Sequence, residues 1–388
     1  MSAQSLKPGW KMVKFGDIAQ NVAVRVDPAD AKTDVYVGLE HLDPSTIHLR
    51  QWGHPTDVTG QKLAFKKGDV IFGRRRAYQR KLAVAEFDGI CSAHAMVVRA
   101  KPKMILPEFL PFFLQSDMFM ERAIEISVGS LSPTINWKTL KVQEFPLPPL
   151  DEQKRIAEIL WTADESIERW IAVARNLEIT GKMLRTNLIH NSAFPRERLS
   201  DVCVLKGGST FKPAFQGKKA GQYPFIKVSD MNSAGNEEFI TVAENYVDEN
   251  DIRQMKTTVF PKGAVVFAKV GAALLLNRRR MLVAETCIDN NMMAAIPDNE
   301  KLTTEFLYLF MLDVDFRNYV QEGALPSINN KIVGEITIPI PPINDQKDIV
   351  FKHRAVMSGF SEADKNISLT RELVLSLLTD FLEGAAHV

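Results

Sequence analysis

Two stretches of the chain carry apolar or small residues at alternating spacings of four and three positions. The first runs from Ile156 to Leu188 and the second from Ile349 to Phe381. This spacing is the heptad pattern with which one helix packs along another. We therefore predict two paired helices of about 40 residues, each roughly 60 Å long at about 1.5 Å per residue. The contact positions that we expect to carry this seam are Ile156, Leu160, Ile167, Trp170, Leu177, Leu184, Ile349, Val356, Phe360, Ile367, Val374 and Leu377.

Each predicted helix follows a Pro-Pro pair, which cannot lie inside a helix. One apolar residue follows each Pro-Pro pair, and Asp151 or Asn344 comes next. Both are favourable N-caps. Gly181, His353 and Thr370 interrupt the apolar seam, so we expect packing of moderate quality. The alternative, in which each helix packs only on its own domain, is disfavoured because a two-layer domain seldom has about 60 Å of surface to cover.

The two helices belong to a repeat that covers the whole chain with a period near 193 residues. Residues 67–72 (KGDVIF) return as 262–267 (KGAVVF), and 133–136 (PTIN) return as 326–329 (PSIN). Residues 148–153 (PPLDEQ) return as 341–346 (PPINDQ), and 108–110 (EFL) return as 305–307 (EFL). Matches that keep the same order indicate that one module is present twice.

Each copy has short apolar runs typical of strands, followed by segments with helical periodicity such as 108–126 and 304–321. The predicted fold class is α+β. Two similar α/β domains are separated by two long antiparallel coiled-coil helices, with a pseudo-two-fold relation within one chain. We expect one globular domain over residues 1–150, a spacer helix over 151–192, the second domain over 193–343 and a second spacer helix over 344–388.

Composition narrows the function classes without choosing one. The net charge is +1, although residues 1–150 hold 20 Lys or Arg against 15 Asp or Glu. No apolar run reaches the roughly 18 residues that a membrane helix needs. The three cysteines are scattered, which fits the reducing cytoplasm and gives no zinc-binding spacing. We expect a cytoplasmic protein without a metal site.

Basic residues cluster directly after the strand predicted within the 67–72 motif. Arginine side chains suit phosphates and guanine edges, Gln or Asn suits adenine, and an aromatic ring adds a stacking surface. A solvated charged hairpin is the plain alternative for one such run, but a basic run also follows the equivalent strand of the second copy. The predicted DNA-binding residues of these runs are Arg74, Arg75, Arg76, Tyr78, Gln79, Arg80, Lys81, Asn277, Arg278, Arg279 and Arg280.

Weaker candidates lie elsewhere. Lys269 stands where the first copy has Arg74, and Lys227 and Ser229 follow a predicted strand of the second copy. The segment 45–54, with His48 and Arg50, looks like a loop that reaches a groove, or an ordinary surface loop. His41 and His94 have no neighbours at metal-ligand spacing and are interpreted as structural.

Enzymatic signatures are missing from the sequence. There is no dinucleotide or Walker glycine motif, no nucleophile elbow and no Asn-Pro-Pro-aromatic motif of the kind found in DNA adenine methyltransferases. We expect no catalytic residues in this chain. The near-neutral charge leaves open a second hypothesis, a scaffold that binds proteins and not DNA.

Three features together resemble the specificity subunit of type I restriction-modification systems. They are residues 66–102, the Pro-Leu-Pro-Pro-Leu-Asp-Glu-Gln-Lys-Arg-Ile-Ala segment at 146–157 and the half-chain repeat. The resemblance covers essentially the whole chain. It implies two target recognition domains that each read one half of a bipartite DNA site, with the paired helices measuring the unread spacer between them.

The same resemblance implies partners and cofactors. Two modification subunits would dock on the helices and bring S-adenosylmethionine for adenine-N6 methylation of double-stranded DNA. Restriction subunits, up to two where the system has them, would add ATP- and Mg²⁺-dependent translocation and cleavage. No cofactor is expected in this chain. The second copy departs from the pattern, since Ala264 replaces Asp69 and the segment 268–270 replaces 73–75.

Overall fold

The computed structural model describes residues 6–320 and 325–383. These residues form two compact units, and the chain passes from the first to the second and back. Unit 1 contains the residues up to Ala172 together with those from Asp364 onward, and unit 2 contains Val173–Ala363. Both unit boundaries fall inside a long helix, so each unit holds one part of both long helices.

Unit 1 is built on two four-stranded sheets and one two-stranded ribbon. The first sheet has the order β2-β9-β6-β7, the second β3-β5-β8-β4, and the ribbon pairs β1 with β10. The strands are β1 (Lys11–Lys14), β2 (Ala19–Asn21), β3 (Arg25–Val26), β4 (Tyr36–Val37), β5 (Lys62–Phe65), β6 (Val70–Phe72), β7 (Leu82–Val84), β8 (Gly89–Cys91), β9 (Met96–Ala100) and β10 (Glu144–Leu147).

Short helices cover one face of the first sheet of unit 1. They are α1 (Phe15–Ile18), α2 (Leu110–Gln115), α3 (Asp117–Glu125) and α4 (Trp137–Leu140), followed by the long α5 (Leu150–Ile189). A cluster of phenylalanines fills the space between them, with Phe15 in ring contact with Phe113, Phe119 and Phe145. Burial of these rings supplies the main apolar driving force for this unit.

Unit 2 repeats the arrangement. Its sheets have the orders β12-β20-β17-β18-β14 and β15-β13-β19-β16, and a ribbon pairs β11 with β21. The strands are β11 (Arg196–Arg198), β12 (Cys203–Gly207), β13 (Tyr223–Ile226), β14 (Phe239–Ile240), β15 (Tyr246–Val247), β16 (Val259–Phe260), β17 (Val265–Ala268), β18 (Arg279–Leu282), β19 (Thr286–Ile288), β20 (Met292–Pro297) and β21 (Thr337–Pro339). The helices are α6 (Leu199–Val202), α7 (Glu249–Met255), α8 (Ala272–Leu275), α9 (Thr304–Asp313), α10 (Asn330–Gly334) and α11 (Ile343–Leu378).

The turn before β6 and β17 shows how closely the two copies agree. Gly68 has a φ of 89° and Gly263 a φ of 88°, a left-handed conformation that a glycine adopts without steric strain. The next residue differs: Asp69 accepts two hydrogen bonds from Arg99, at 2.6 and 2.8 Å. In unit 2 the matching positions are Ala264 and Ile296, which pack in the apolar core. One backbone therefore carries an ion pair in one copy and an apolar pair in the other.

A buried glutamine fastens the start of each long helix to its unit. Gln153 donates to the carbonyls of Met104 and Pro148, at 3.1 and 2.9 Å, and accepts from the amide of Leu106 at 2.9 Å. Gln346 makes the same three bonds to Lys301, Pro341 and Thr303, each at 2.8 Å. Because both side chains are completely buried, the bonds fix where each helix begins. The helices begin one residue before the predicted caps, at Leu150 and Ile343.

The seam positions of both helices are buried or half-buried, including the interrupting Gly181, His353 and Thr370. In unit 2 a methyl group added at Gly181 would lie 3.6 Å from Val356, and one added at Gly359 would lie 3.3 Å from Leu177. Because the number of the α11 residue falls as that of the α5 residue rises, the two helices run antiparallel within this unit. In unit 1 the first turns of α5 share a core cluster with Leu378 and Leu382, at the other end of α11.

Candidate nucleic-acid interface

The predicted basic segment of unit 1 is the hairpin between β6 and β7. Two of its residues, Arg76 and Arg80, have positive φ angles of 57° and 51°, and a single 3-10 turn at Ala77–Gln79 lies between them. Ala77 is buried beneath this turn, whereas Tyr78 is 54% exposed. The chain changes direction at each of these two left-handed residues, so the tip of the hairpin is exposed to solvent.

The predicted residues of this hairpin divide into two groups. Arg75, Arg76, Tyr78 and Gln79 are exposed. Arg80 forms an ion pair with Asp117, and Lys81 donates to the carbonyl of Leu39 at 2.9 Å, so both brace the hairpin on the rest of unit 1. Arg74 is half-buried and donates to the carbonyl of Ala93 at 3.0 Å. The exposed group is the set available to a ligand.

A second loop supports the hairpin from the side. The amide of Arg76 donates to Pro133 at 2.7 Å, the amide of Ile135 donates to Arg74 at 2.9 Å, and Arg75 Nε donates to Ser132 Oγ at 2.7 Å. The supporting loop carries Leu131, which is 90% exposed. The repeated motif at 133–136 therefore forms the base of the exposed surface.

The same support recurs in unit 2 and identifies the equivalent residues. The amide of Gly271 donates to Pro326 at 2.8 Å, and the amide of Ile328 donates to Lys269 at 3.0 Å. Residues 269–271 are thus the counterparts of 74–76, as the sequence comparison of 268–270 with 73–75 predicts. Lys269 keeps a cation at the position of Arg74, while Val270 and Gly271 replace the other two arginines.

The basic run 277–280 does not occupy the position of 74–76. The prediction that basic runs lie at equivalent places in the two copies is therefore wrong. Phe72 pairs with Leu82, whereas Phe267 pairs with Arg279, which places Arg279 at the position of the buried Leu82. Asn277 has a φ of 54° and corresponds to the left-handed Arg80. The hairpin of unit 2 is two residues longer, and Arg279 and Arg280 lie on its returning strand β18, with Arg278 just before that strand.

Arg279 is the clearest correction. It is completely buried, its guanidinium carbon lies 4.0 Å from the centre of the Phe316 ring, and it donates to the carbonyl of Val314 at 2.6 Å. Burial lowers the pKa of Arg279 to about 9, against the smaller opposing effect of Asp315. Cation–π contact and hydrogen bonding hold this charge inside the unit, so Arg279 is not available to DNA.

The other residues of that run also have structural contacts. The side chain of Asn277 donates to Asp315 at 2.7 Å and accepts from the amide of Phe316 at 2.9 Å. Arg280 is half-buried and donates to the carbonyl of Met231 at 2.8 Å. Arg278 is exposed and contacts the side chain of Asn232. Of the four, only Arg278 has the exposure that a direct DNA contact requires.

Lys227, Ser229 and Lys269 remain candidates. Ser229 is exposed in the 3-10 turn Val228–Asn232, and Lys227 is half-buried at its start. That turn is held by the buried Asp230, which accepts from the amide of Lys227 at 2.7 Å. Lys269 is half-buried. The role of these three residues stays a prediction.

The segment 45–54 is held against α5 through His48 and Arg50, of which Arg50 keeps a side chain that is 45% exposed. His48 Nε2 lies 2.6 Å from Asp164 of α5, and Nδ1 lies 2.7 Å from Glu86. Arg50 forms an ion pair with Glu168, one turn further along the same helix. Within unit 1 these contacts tie the loop to the helix, an interaction between residues more than 100 positions apart that the sequence pattern does not indicate.

This contact should make the stability of unit 1 depend on pH. The hydrogen bond to Asp164 raises the pKa of His48 above 6.5, and burial opposes that shift. A raised folded-state pKa means that the stabilisation is fully present below pH 6.5 and is lost as the pH rises through the folded-state pKa. We expect wild type to lose stability as the pH rises above 6.5 and through the raised folded-state pKa of His48, and His48→Gln to lose less.

The measurement is urea unfolding followed by tryptophan fluorescence, since Trp161 lies in edge contact with His48. His94→Gln, at an exposed histidine, is the matched control and should behave like wild type. Equal pH dependence in wild type and His48→Gln would show that the contact does not contribute.

In the described ranges, no group of three or more His, Cys, Asp or Glu side chains is placed to hold a metal ion. Cys91, Cys203 and Cys287 are buried, and burial raises the pKa of each thiol to about 12. Across residues 6–320 and 325–383, no helix has the length and apolar character needed to cross a membrane.

Comparison with known protein families decides what the two units are. The type I restriction modification DNA specificity domain matches the chain twice, over residues 8–174 and 194–366. The chain belongs to this family. Each match covers one sheet-containing module and the first part of the long helix that follows it, so a specificity domain in this chain includes both.

Relatives of this specificity protein are found in bacteria and archaea. The type I restriction enzyme EcoDI specificity subunit of Escherichia coli is 29% identical over 194 residues, which span 46% of this chain and 41% of that protein. The putative type I restriction enzyme MjaX specificity subunit of Methanocaldococcus jannaschii is 23% identical over 396 residues, which span 89% of this chain and 86% of that protein.

Solved structures share the fold. A chain from a study of complex assembly and conformational transition of the type I R-M system aligns with a TM-score of 0.65 at 18% identity, over 99% of both chains. The S subunit of the type I restriction-modification system of M. genitalium aligns with a TM-score of 0.56 at 14% identity, over 98% of both chains. The predicted fold class, two α/β modules with long antiparallel helices, is confirmed.

Proposed function

We propose that this specificity subunit reads a bipartite DNA site, with unit 1 contacting one half-site and unit 2 the other. The observation that carries the proposal is the hairpin and its supporting loop. The backbone bonds between 74–76 and 133–135 recur between 269–271 and 326–328, while the exposed side chains differ. A constant scaffold with different exposed side chains suits two modules that read different base sequences.

In this proposal the paired helices set the length of the unread spacer and bind two modification subunits. Those subunits supply S-adenosylmethionine and the adenine-N6 chemistry. Restriction subunits, where present, supply ATP- and Mg²⁺-dependent cleavage. The chain itself performs no chemistry, in keeping with the non-catalytic role of specificity subunits, and works in the cytoplasm on double-stranded DNA.

The test is sequencing of methylated adenines in a host that expresses the chain with its modification subunits. Wild type should give one bipartite motif, and a host without the chain should give none. We expect Arg75→Ala combined with Gln79→Ala to relax or abolish recognition in one half-site, because each good base contact contributes about 1–3 kcal/mol of discrimination.

The matched control is Arg122→Ala, which removes an exposed arginine of α3 that pairs with Glu125. It should leave the methylated motif unchanged. If no motif depends on the chain while the complex with its partner subunits still assembles, the scaffold hypothesis replaces the DNA-reading one.

A further inference from the structure

Unit 1 contains a cavity of about 240 Å³ beside the hairpin, at the start of β9. Its polar lining comes from three cations and two amides, Arg25, Lys62, Arg74, Asn21 and Gln61, and no carboxylate contributes to it. Arg74 belongs to both the cavity wall and the hairpin. The cavity therefore lies next to the exposed residues proposed to contact DNA.

The three cations of this cavity are held in place by neutral oxygen atoms. Arg25 donates to Gln61 Oε1 at 3.1 Å, Arg74 donates to the carbonyl of Ala93 at 3.0 Å, and Lys62 donates to the carbonyl of Gly60 at 2.8 Å. In the described part of the chain none of the three forms an ion pair. Lys62 is only 8% exposed, and a buried lysine is ordinarily paired with an acid.

Two other arginines of the same unit are neutralised. Arg99 pairs with Asp69 and Arg80 pairs with Asp117, each across a short distance between neighbouring elements. The ammonium of Lys62 lies over the Tyr36 ring, outside the cavity wall, so Arg25 and Arg74 bring the positive charge to the cavity. Their directions are fixed, and no acidic side chain of the cavity compensates them. Such a site attracts an anion. Holding like charges close together costs free energy, and a bound negative group offsets that cost.

Two polar atoms at the cavity reinforce this conclusion. Arg74 Nε and Asn21 Oδ1 are buried and have no hydrogen-bond partner. Arg74 therefore keeps a free donor directed away from solvent. A half-turn of the Asn21 amide would replace its oxygen with an NH₂ donor, so that both residues could donate to one ligand. Neither atom is open to solvent in this arrangement, so a ligand with acceptor oxygens reaches them once the two side chains turn towards the cavity.

Unit 2 places a cation at the same position of its own hairpin. Lys269, the counterpart of Arg74, extends over Gly207, where an added Cβ would lie 2.8 Å from Lys269 Nζ. In the described ranges Lys269 also lacks an acidic partner. In unit 2 Val270 and Gly271 replace the two neighbouring arginines, but a cation is kept at this position. The recurrence indicates a function shared by both units.

We propose that this cavity of unit 1 binds a single phosphate of the DNA backbone, beside the bases contacted by the hairpin. The proposal rests on the DNA-reading function proposed above and adds a separate role to it. A phosphate offers the several acceptor oxygens that the arginine forks and the amide can bind. Such a contact fixes where the hairpin sits along the duplex and carries no sequence information itself.

The experiment compares wild type with Arg25→Gln combined with Arg74→Gln. Binding of the full chain is measured by fluorescence anisotropy at several salt concentrations, on a duplex with the motif found by methylation sequencing and on a scrambled duplex. We expect the double variant to reduce the slope of log K against log salt by about 1, and to weaken both duplexes to a similar degree. Arg122→Gln, at an arginine paired with Glu125, is the control and should keep the wild-type slope.

The possible results separate the two proposals. Wild type that shows no salt-dependent binding to either duplex overturns the DNA-reading function itself. Wild type that binds, with a double variant of unchanged slope, overturns the phosphate site alone. A variant that loses the preference for the motif over the scrambled duplex shows base reading and also overturns it.

Two further arms cover folding and the source of the phosphate. If the double variant melts below the assay temperature, the single Arg25→Gln, at an exposed residue, is measured instead and should still lower the slope. Melting of wild type is also followed with inorganic phosphate at constant ionic strength. Stabilisation by inorganic phosphate that the variant loses, together with an unchanged DNA slope, would identify a free-anion site and overturn the proposal.

Discussion

Removal of one heptad from each long helix should shorten the unread spacer of the DNA site by about three base pairs. Seven residues of helix span about 10 Å at about 1.5 Å per residue, and base pairs are stacked about 3.4 Å apart. Deletion of residues 173–179 and 358–364 removes matched parts, since Leu177 lies beside Gly359. A seven-residue step keeps every remaining seam position on the same face of its helix.

Methylation sequencing of a host that carries this variant measures the effect directly. We expect both half-sites to stay the same and only the number of bases between them to fall. Deletion of four residues from each helix is the control, because it turns the seam away from its partner and should abolish methylation. A seven-residue variant that methylates the wild-type motif with its original spacer would refute the spacer role of the helices.

The second large effect concerns the buried Arg279. Arg279→Ala should destabilise unit 2 by about 3 kcal/mol, because it leaves a cavity beside Phe316 and removes the donor to the Val314 carbonyl. Arg279→Leu should cost much less, since leucine occupies the equivalent position, Leu82, in unit 1. Replacement of a buried charge by a well-packed apolar side chain is often close to neutral.

Amide hydrogen exchange of β17 and β18 in the full chain measures this difference, since it reports on unit 2 alone. Arg278→Ala changes the exposed neighbour and serves as the control, with protection close to that of wild type. The salt dependence of DNA binding by Arg279→Leu should equal that of wild type. Equal protection in Arg279→Ala and Arg278→Ala would contradict the packing role assigned to Arg279.

The features that the sequence predicted correctly are those set by periodicity and repetition. The 4-3 spacing requires a buried seam, and the Pro-Pro pair requires a helix to begin after it. The KGD and KGA motifs were matched as repeats in the sequence, and the structure has the same left-handed glycine turn in both. These rules act over a few residues, so they can be read directly along the chain.

The errors came from strand register and from distant contacts. Arg278, Arg279 and Arg280 look like Arg74, Arg75 and Arg76 in the sequence, but they lie on the returning side of the hairpin. There Arg279 and Arg280 belong to β18, and alternation buries Arg279. The match between 67–72 and 262–267 was the available signal, since counting on from it gives 269–271 as the counterparts of 74–76. The contact of His48 with Asp164 depends on tertiary packing alone, and no local pattern encodes it.

The exchange of Asp69 and Arg99 for Ala264 and Ile296 constrains how the two halves of an ancestral duplication could drift apart. Loss of the arginine first would strand a carboxylate whose side chain is 2% exposed, whereas loss of the aspartate first leaves an arginine that is 38% exposed and can turn towards water. The order in which the two mutations occur therefore matters. Whichever state came first, the evolutionary route between them passes most easily through an alanine–arginine intermediate.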